Sequence, residues 1–368
     1  MKVFADYFQN YLIDLWDRSK DFSRLRFLEK LFFYFLCLIE QLYKFFFFIV
    51  CSIKKFLGEH KPKKFKIISV GNLSVGGTGK SVFVQFLLKN IKSYNGAVFI
   101  RGYGRKSSES ILVDEKNCKR FSAKEIGDEA KMFCEKFSHP IIVGRDRLAS
   151  LKKLQEFSRE RKEKINFVVL DDAYQNHSLK KNFEVLLLDS KNPFGNNHCL
   201  PAGPLREKDF SRADAIIFTR HKTGGLPKID FCLNKIFSGN HEIVGVRQAS
   251  KKIFLLREEL KNKKFLCVAG IGMFSGFKNS VQSFFGNKNF FFRFPDHHDY
   301  SEKDLEKILK ESEKNNCDGV LTTEKDWQKL RPLAKTNLNK FFILEVEFKF
   351  SSEHEHDSFF ELLYKKTF

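Results

Sequence analysis

The residues best suited to chemistry begin with the stretch 66–81, KIISVGNLSVGGTGKS. A β-branched run leads into a glycine-rich loop, and from Lys80 the apolar residues Val82, Phe83, Phe86 and Leu87 follow at helical spacing. Such a strand, loop and helix turn successive backbone N–H groups and a helix N-terminus toward one point, which suits a di- or triphosphate. Lys80 would reach the β- and γ-phosphates and the Ser81 hydroxyl would ligate Mg²⁺, with Ser74, Val75, Gly76, Gly77, Thr78 and Gly79 forming the cradle. Ser74 stands where the usual G-x-x-x-x-G-K-S/T pattern has its first glycine. A second stretch, FVVLDD at 167–172, is an apolar strand that ends in Asp171 and Asp172, as a Walker B strand does. Beside a phosphate loop, that acidic end meets Mg²⁺ directly or through water. The polar turn AYQNH that follows, with Gln175 and His177, lies where open α/β sheets bind their ligands.

Further stretches are richer in glycine, arginine and acid than a plain connection needs. RGYGR at 101–105 sets Tyr103 between two glycines, with Arg101 and Arg105 outside them, which suits a sugar or phosphate. Gly127, Asp128 and Glu129 precede a helix, where Asp128 either caps the helix or serves the site. GRDR at 144–147, with Arg145, follows another strand, and LPAGPLRE at 200–207 is a rigid loop ending in Arg206 and Glu207. FPDHHDY at 294–300 puts His297 and His298 between aspartates at the end of a strand. A zinc site there lacks a second cluster of suitable spacing, so a His–Asp pair that positions a proton acceptor fits better. The HEHD run at 354–357 reads as a solvated terminus.

The elements that must position these residues alternate between short apolar strands and helical stretches. Strands are expected at 66–70, 97–101, 140–143, 166–170, 184–188 and 215–219, then at 265–269, 290–294, 319–322 and 341–346, with a helix at 301–315. This predicts an α/β chain: a P-loop NTPase-like, mainly parallel sheet with helices on both faces, followed by a second, smaller α/β domain. The expected layout is a membrane-associated helical region at 1–60, a kinase-like domain at 61–225 and an extended linker at 226–260. The smaller domain then covers 261–350 and a tail 351–368.

The apolar run 31–53 is long enough to cross a bilayer, but Glu40, Gln41 and Lys44 interrupt it. At helical spacing Cys37, Glu40, Gln41, Lys44, Cys51 and Lys55 share one side, which suits a helix lying in a membrane interface. Basic residues flank it, among them Arg24, Arg26, Lys54, Lys55, Lys61, Lys63 and Lys64. A net charge of +20 over 368 residues favours an anionic partner such as a bilayer surface or a phosphorylated substrate. Because the lysines are spread along the whole chain and not gathered in one aromatic-laced stripe, no nucleic acid partner is expected, and none of the motifs implies an obligate protein partner. The 8 cysteines include no C-x-x-C pair and read as thiols, not as a disulfide or zinc framework.

The order GNLSVGGTGKS, RGYGRK, GDEA, VGRDR, LDDAYQNH, FGNNHCLPAGPLRE, AGIG, FPDHHDY and LTTEKD resembles that of the tetraacyldisaccharide 4'-kinases, the lipid A 4'-kinases. The resemblance implies ATP and Mg²⁺, with transfer of the γ-phosphate to the 4'-hydroxyl of an acylated disaccharide 1-phosphate, giving lipid IVA. It also implies a peripheral or monotopic protein on the anionic cytoplasmic face of the inner membrane of a Gram-negative-type bacterium. By the same resemblance Lys80 and Ser81 take the phosphate and Mg²⁺ roles, Asp128 is the catalytic base and His297 its partner. Asp171, Asp172 and Glu207 would serve the metal, while Arg101, Tyr103, Arg145, Gln175, His177 and Arg206 would line the substrate site. Ser or Thr is usual in the family at the position of Ser74. Ala173, where the family usually has Gly, and Asn176 are departures that bear on loop geometry. Asp128 and His297 are expected to come from different domains and to meet when these close around substrate. The alternative is a P-loop GTPase or metallochaperone-like ATPase, but TRHK at 219–222 stands where a guanine-reading N/T-K-x-D motif is expected.

Overall fold

The computed structural model describes residues 2–56, 58, 60–62, 64–103, 105, 107, 109–225, 236–251 and 253–368. Lys63, Gly104, Lys106 and residues 226–235 of the expected linker lie outside the described residues, as do the side chains of Lys54 and Lys55. The strands are β1 (Lys66–Gly71), β2 (Gly96–Ile100), β3 (Ile111–Val113), β4 (Ile141–Val143), β5 (Phe167–Asp171), β6 (Phe183–Asp189), β7 (Ala215–Thr219), β8 (Ile236–Gln248), β9 (Phe254–Leu255), β10 (Phe265–Ala269), β11 (Phe290–Arg293), β12 (Gly319–Thr322) and β13 (Phe341–Phe350). Every expected strand forms, with ends moved by a residue at most except in β13, which runs on to Phe350.

The chain divides into two compact units, each gathered from separate segments. The first comprises Met1–Lys80, Ile165–Asn240 and Phe350–Phe368, the second Ser81–Lys164 and His241–Lys349. Breaker-rich connections such as 220–228 mark loops in a sequence, but which segments pack together is decided by strand pairing, and the units are accordingly not contiguous.

In the first unit β7, β6, β1 and β5 lie side by side, all parallel, with the start of β8 beyond β7. Each of these four is buried almost throughout, as near-continuous apolar runs in parallel sheets are. Because β1 sits between β5 and β6 and Val70 pairs with Asp171, the loop after β1 and the carboxylates after β5 emerge at the same end. A Cβ at Gly71 would come within 2.5 Å of Tyr174 Cβ, so only glycine lets the two chains leave the sheet this closely.

The helices Lys2–Arg18 and Phe27–Phe56 also belong to this unit. Arg18 joins them through a bidentate pair with Glu29, and Leu15, Leu25, Phe33 and Leu36 pack with Ala202. The window Phe27–Ile53 is long and apolar enough to cross a membrane, yet only 11% of it is buried. Phe35, Leu38, Leu42, Phe45, Phe46 and Phe48 are exposed, and so is Gln41, whereas Glu40 is 1% exposed and Cys37, Lys44 and Cys51 are half-buried. The segment expected as a tail is instead the helix Glu353–Thr367, capped by Ser352. Phe359, at helical spacing from Leu363, packs edge-on against Phe183 and Phe237, while in the HEHD run His354 and Asp357 are exposed and Glu355 accepts from Ser238 N and Oγ at 3.0 and 2.9 Å.

In the second unit β2 and β4 pair in parallel with β3 antiparallel at the edge. A further group runs β11, β10, β12 and β13 in parallel. Trp327, Phe341, Leu266 and Ile308 fill one core there and Phe265, Val281 and Phe342 another. The expectation of free thiols fails in this unit. Cys118 and Cys134, 16 residues apart, form a disulfide with a Cα–Cα separation of 5.9 Å. A short 3₁₀ turn brings Cys118 against the helix Asp128–Lys136 that carries Cys134, a proximity that no spacing rule encodes.

Candidate active site

In the first unit the loop after β1 holds its glycines in conformations that other residues rarely adopt. Gly76 has φ 118° and Gly79 φ 81°, and nothing lies within 4 Å of a Cβ built at Gly76 or Gly77. That leaves open space over backbone N–H groups, as the approach of a phosphate requires. The loop is braced from the LPAGPLRE segment, with Val75 N donating to Pro204 O at 2.8 Å and Arg206 N to Leu73 O at 2.7 Å.

Lys80 Nζ donates to Asn72 Oδ1 at 3.1 Å and lies 3.5 Å from Asp172 Oδ1. Arg206 Nη1 holds the same carboxylate at 2.9 and 3.1 Å and donates to Gln175 Oε1 at 3.2 Å. Burial alone would raise the Asp172 carboxyl, but Lys80 and Arg206 outweigh it and hold it below its ordinary range. Asp171 is buried at the end of β5. Asp172, not Ala173, takes the left-handed backbone conformation, at φ 52°, so alanine where a glycine was expected adds no strain. Asn176 N donates to Ala173 O and the Asn176 side chain accepts from Ser178 N, which closes the turn.

The helix Asp128–Lys136 of the second unit begins at the GDEA motif, and its first turn meets the helix Glu324–Leu330 of the LTTEKD motif. Asp128 Oδ2 lies 3.3 Å from His297 Nδ1 and 3.4 Å from Lys329 Nζ. Burial would raise the Asp128 carboxyl. The hydrogen bond from His297 and the charges of Lys325 and Lys329 outweigh it and hold the group well below the usual carboxylate range. In return the bond to Asp128 raises the His297 imidazole, against burial. Glu129 accepts from Ser81 Oγ at 3.3 Å and is gripped by Lys325. Gly270 N donates to Asp326 Oδ1 at 3.1 Å and His297 N to Gly270 O at 3.1 Å, so the AGIG, FPDHHDY and LTTEKD stretches are knitted together behind His297.

Other expected site residues are placed more loosely. Tyr103 is 74% exposed and lies tilted against His297, with ring centroids 5.7 Å apart. Arg101 and Arg145 are exposed, and His177 faces Phe47 edge-on in the first unit. Glu207 is buried at the end of the LPAGPLRE loop, where Arg212 holds both its oxygens and Gln175 also bonds it. Asp128 and His297 touch within a single compact unit and need no closure to meet, contrary to expectation.

The description of the family model that matches residues 33–366 is Tetraacyldisaccharide-1-P 4'-kinase. The chain belongs to that family. It is 30% identical over 314 residues to the tetraacyldisaccharide 4'-kinase of Syntrophus aciditrophicus (strain SB), covering 79% of this chain and 82% of that one. Identity to the enzyme of Shewanella loihica is 32% over 295 residues, with 78% and 79% covered. The fold matches the crystal structure of the "apo" form of LpxK from Aquifex aeolicus in complex with ATP, with a TM-score of 0.69, 27% identity, and 90% and 98% of the two chains covered. Within this 4'-kinase family member, Glu129 and Lys325 stand in motifs the sequence singles out but received no role from it, and Lys329 received none either. Two lysines four residues apart, on one face of a helix opened by Thr323, were the available signal.

Proposed function

We propose that this chain transfers the γ-phosphate of ATP to the 4'-hydroxyl of an acylated disaccharide 1-phosphate, a step of bacterial lipid A synthesis. The observation that carries this reading is the Asp128 carboxylate set between His297 and Lys329 in the unit that begins at Ser81. An alcohol acceptor must lose a proton, and an ionised, oriented carboxylate can take it. A strongly basic group is not needed, because in a loose phosphoryl-transfer transition state the attacking hydroxyl loses its proton late. His297 and Lys329 fix the carboxylate and keep it ionised.

The open backbone at Gly76 and Gly77 would receive the phosphates, and Lys80 would exchange Asp172 for the β- and γ-phosphate oxygens. The Ser81 hydroxyl and the Asp171 and Asp172 carboxylates are the hard oxygen donors that suit Mg²⁺, which when bound neutralises charge on the transferring phosphate. Glu129 would aim the Ser81 hydroxyl. Arg101, Tyr103, Arg145, Gln175, His177 and Arg206 would meet the phosphorylated sugars. The exposed Phe and Leu face of the helix Phe27–Phe56 would lie in the cytoplasmic surface of an anionic inner membrane, where an acylated substrate resides. The test is incubation of the purified protein with γ-labelled ATP and a tetraacyl disaccharide 1-phosphate. Label is expected in the lipid, and GTP hydrolysis without lipid labelling would overturn the reading.

A further inference from the structure

We propose that Cys37, Glu40 and His198 form a zinc site that fastens the long apolar helix to the loop leading into the LPAGPLRE segment. Cys37 and Glu40 stand three residues apart in the helix Phe27–Phe56 and so share a face. His198 reaches them from the segment after β6, within the same compact unit. One ligand atom from each lies within 4.8 Å of the others. His198 Nδ1 is 2.7 Å from Glu40 Oε2 and 3.9 Å from Cys37 Sγ. Around a tetrahedral zinc with bonds of about 2.0 to 2.3 Å, neighbouring ligand atoms stand roughly 3.3 to 3.6 Å apart, so shifts of about 1 Å complete the site.

The surroundings suit a ligand set. Glu40 is 1% exposed, and a charge so placed must be matched. Its Oε1 accepts from the backbone N–H of Cys199 at 2.8 Å and lies 2.5 Å from Lys44 Nζ. These bonds turn Oε2 toward His198 and Cys37, as outer-shell partners orient a metal-binding carboxylate. A thiolate, an imidazole and a carboxylate together favour zinc over Mg²⁺ or Ca²⁺, which prefer all-oxygen sets. Thiolate and carboxylate bring two negative charges to meet Zn²⁺, with the Lys44 ammonium beside the outer carboxylate oxygen, and three protein ligands leave a fourth position for water. The loop so fastened continues to Arg206, whose guanidinium holds Asp172 and whose carbonyl accepts from Tyr43 OH of the same helix at 2.8 Å. The site would therefore stiffen the joint between the apolar helix and the phosphate loop.

The test uses the full chain, purified without metal-affinity resin or chelator, with zinc measured by mass spectrometry and then replaced by cobalt. A single zinc per chain is expected, with tetrahedral cobalt bands and a thiolate-to-cobalt charge-transfer band. Cys37→Ser should abolish that band and weaken zinc binding by at least about tenfold. Cys267→Ser, which alters a buried thiol of the other unit, should leave both unchanged. Zinc-edge X-ray absorption of the wild-type protein should find sulfur in the first shell and needs no variant to fold. Absence of bound zinc with a silent cobalt spectrum, a zinc shell without sulfur, or binding indifferent to Cys37→Ser would each overturn the proposal.

Discussion

Replacing Asp128 and His297 by alanine, singly and together, asks whether the two act as one unit. At an effective dielectric of about 20, a full charge pair at their 3.3 Å separation would interact by about 5 kcal/mol. The His297 side chain is 41% exposed, so solvent screening leaves about 1–2 kcal/mol. A positioned proton acceptor contributes about 10²–10⁴ in rate. Asp128→Ala should therefore lower kcat by about 10²–10⁴, and His297→Ala, acting only through the carboxylate, by about 5–30-fold. The double variant should match Asp128→Ala, because without the carboxylate the imidazole has nothing to orient. The assay is kcat at saturating ATP and lipid acceptor in detergent micelles, with ATP affinity measured separately and expected to stay constant. Losses that multiply in full would refute the pairing.

Lys80→Ala should lower transfer by orders of magnitude while Tm moves by no more than a few degrees, because Arg206 still holds Asp172; an unfolded variant would make Lys80 structural. Exchanging Phe45, Phe46 and Phe48, exposed by 60%, 62% and 69%, for serine should release the protein from anionic vesicles without lowering Tm. At about 1.5–3 kcal/mol for each buried Phe, the loss in partitioning should exceed about 10³-fold, and unchanged sedimentation with vesicles would contradict it. Glu129→Gln should raise the Mg²⁺ concentration needed for half-maximal rate while ATP binding without metal persists; an unaltered Mg²⁺ dependence would remove Glu129 from that role. The pairing with Asp128 raises His297 above its ordinary 6.5, so the stability it adds is full below that pH and is lost as pH rises through the higher folded value. The stability difference between wild type and His297→Ala, read by urea unfolding across neutral pH, should shrink upward, and a difference that grows would contradict the pairing.

The phosphate loop and the carboxylates of β5 were legible because their signals are local. A β-branched run, glycines and a helical apolar period follow one another within 66–88, and two aspartates end an apolar strand. Parallel pairing of β1 with β5 then brings them to one end. The contact of Asp128 with His297 spans 169 residues and depends on how non-contiguous segments pack, which periodicity cannot supply. The amphipathic period of 31–53 was equally clear, but it could not say what covers each face. It places Glu40 on the polar side and names no partner for it, whereas His198, Lys44 and the Cys199 N–H enclose it. β3 and β9 span three and two residues, too short for any alternation to register. The terminal helix is not legible because its charged first turns, EHEHD, mask the Phe359, Phe360 and Leu363 that follow.

The most direct measurement is the position of the new phosphate. Wild-type protein, ATP, Mg²⁺ and a tetraacyl disaccharide 1-phosphate should give a bisphosphorylated lipid. In ³¹P NMR its second monoester resonance should couple to the proton on C4' of the distal sugar, and Lys80→Ala should give none. Phosphate on any other oxygen, or inorganic phosphate as the sole product of a folded, ATP-binding protein, would contradict the proposed transfer.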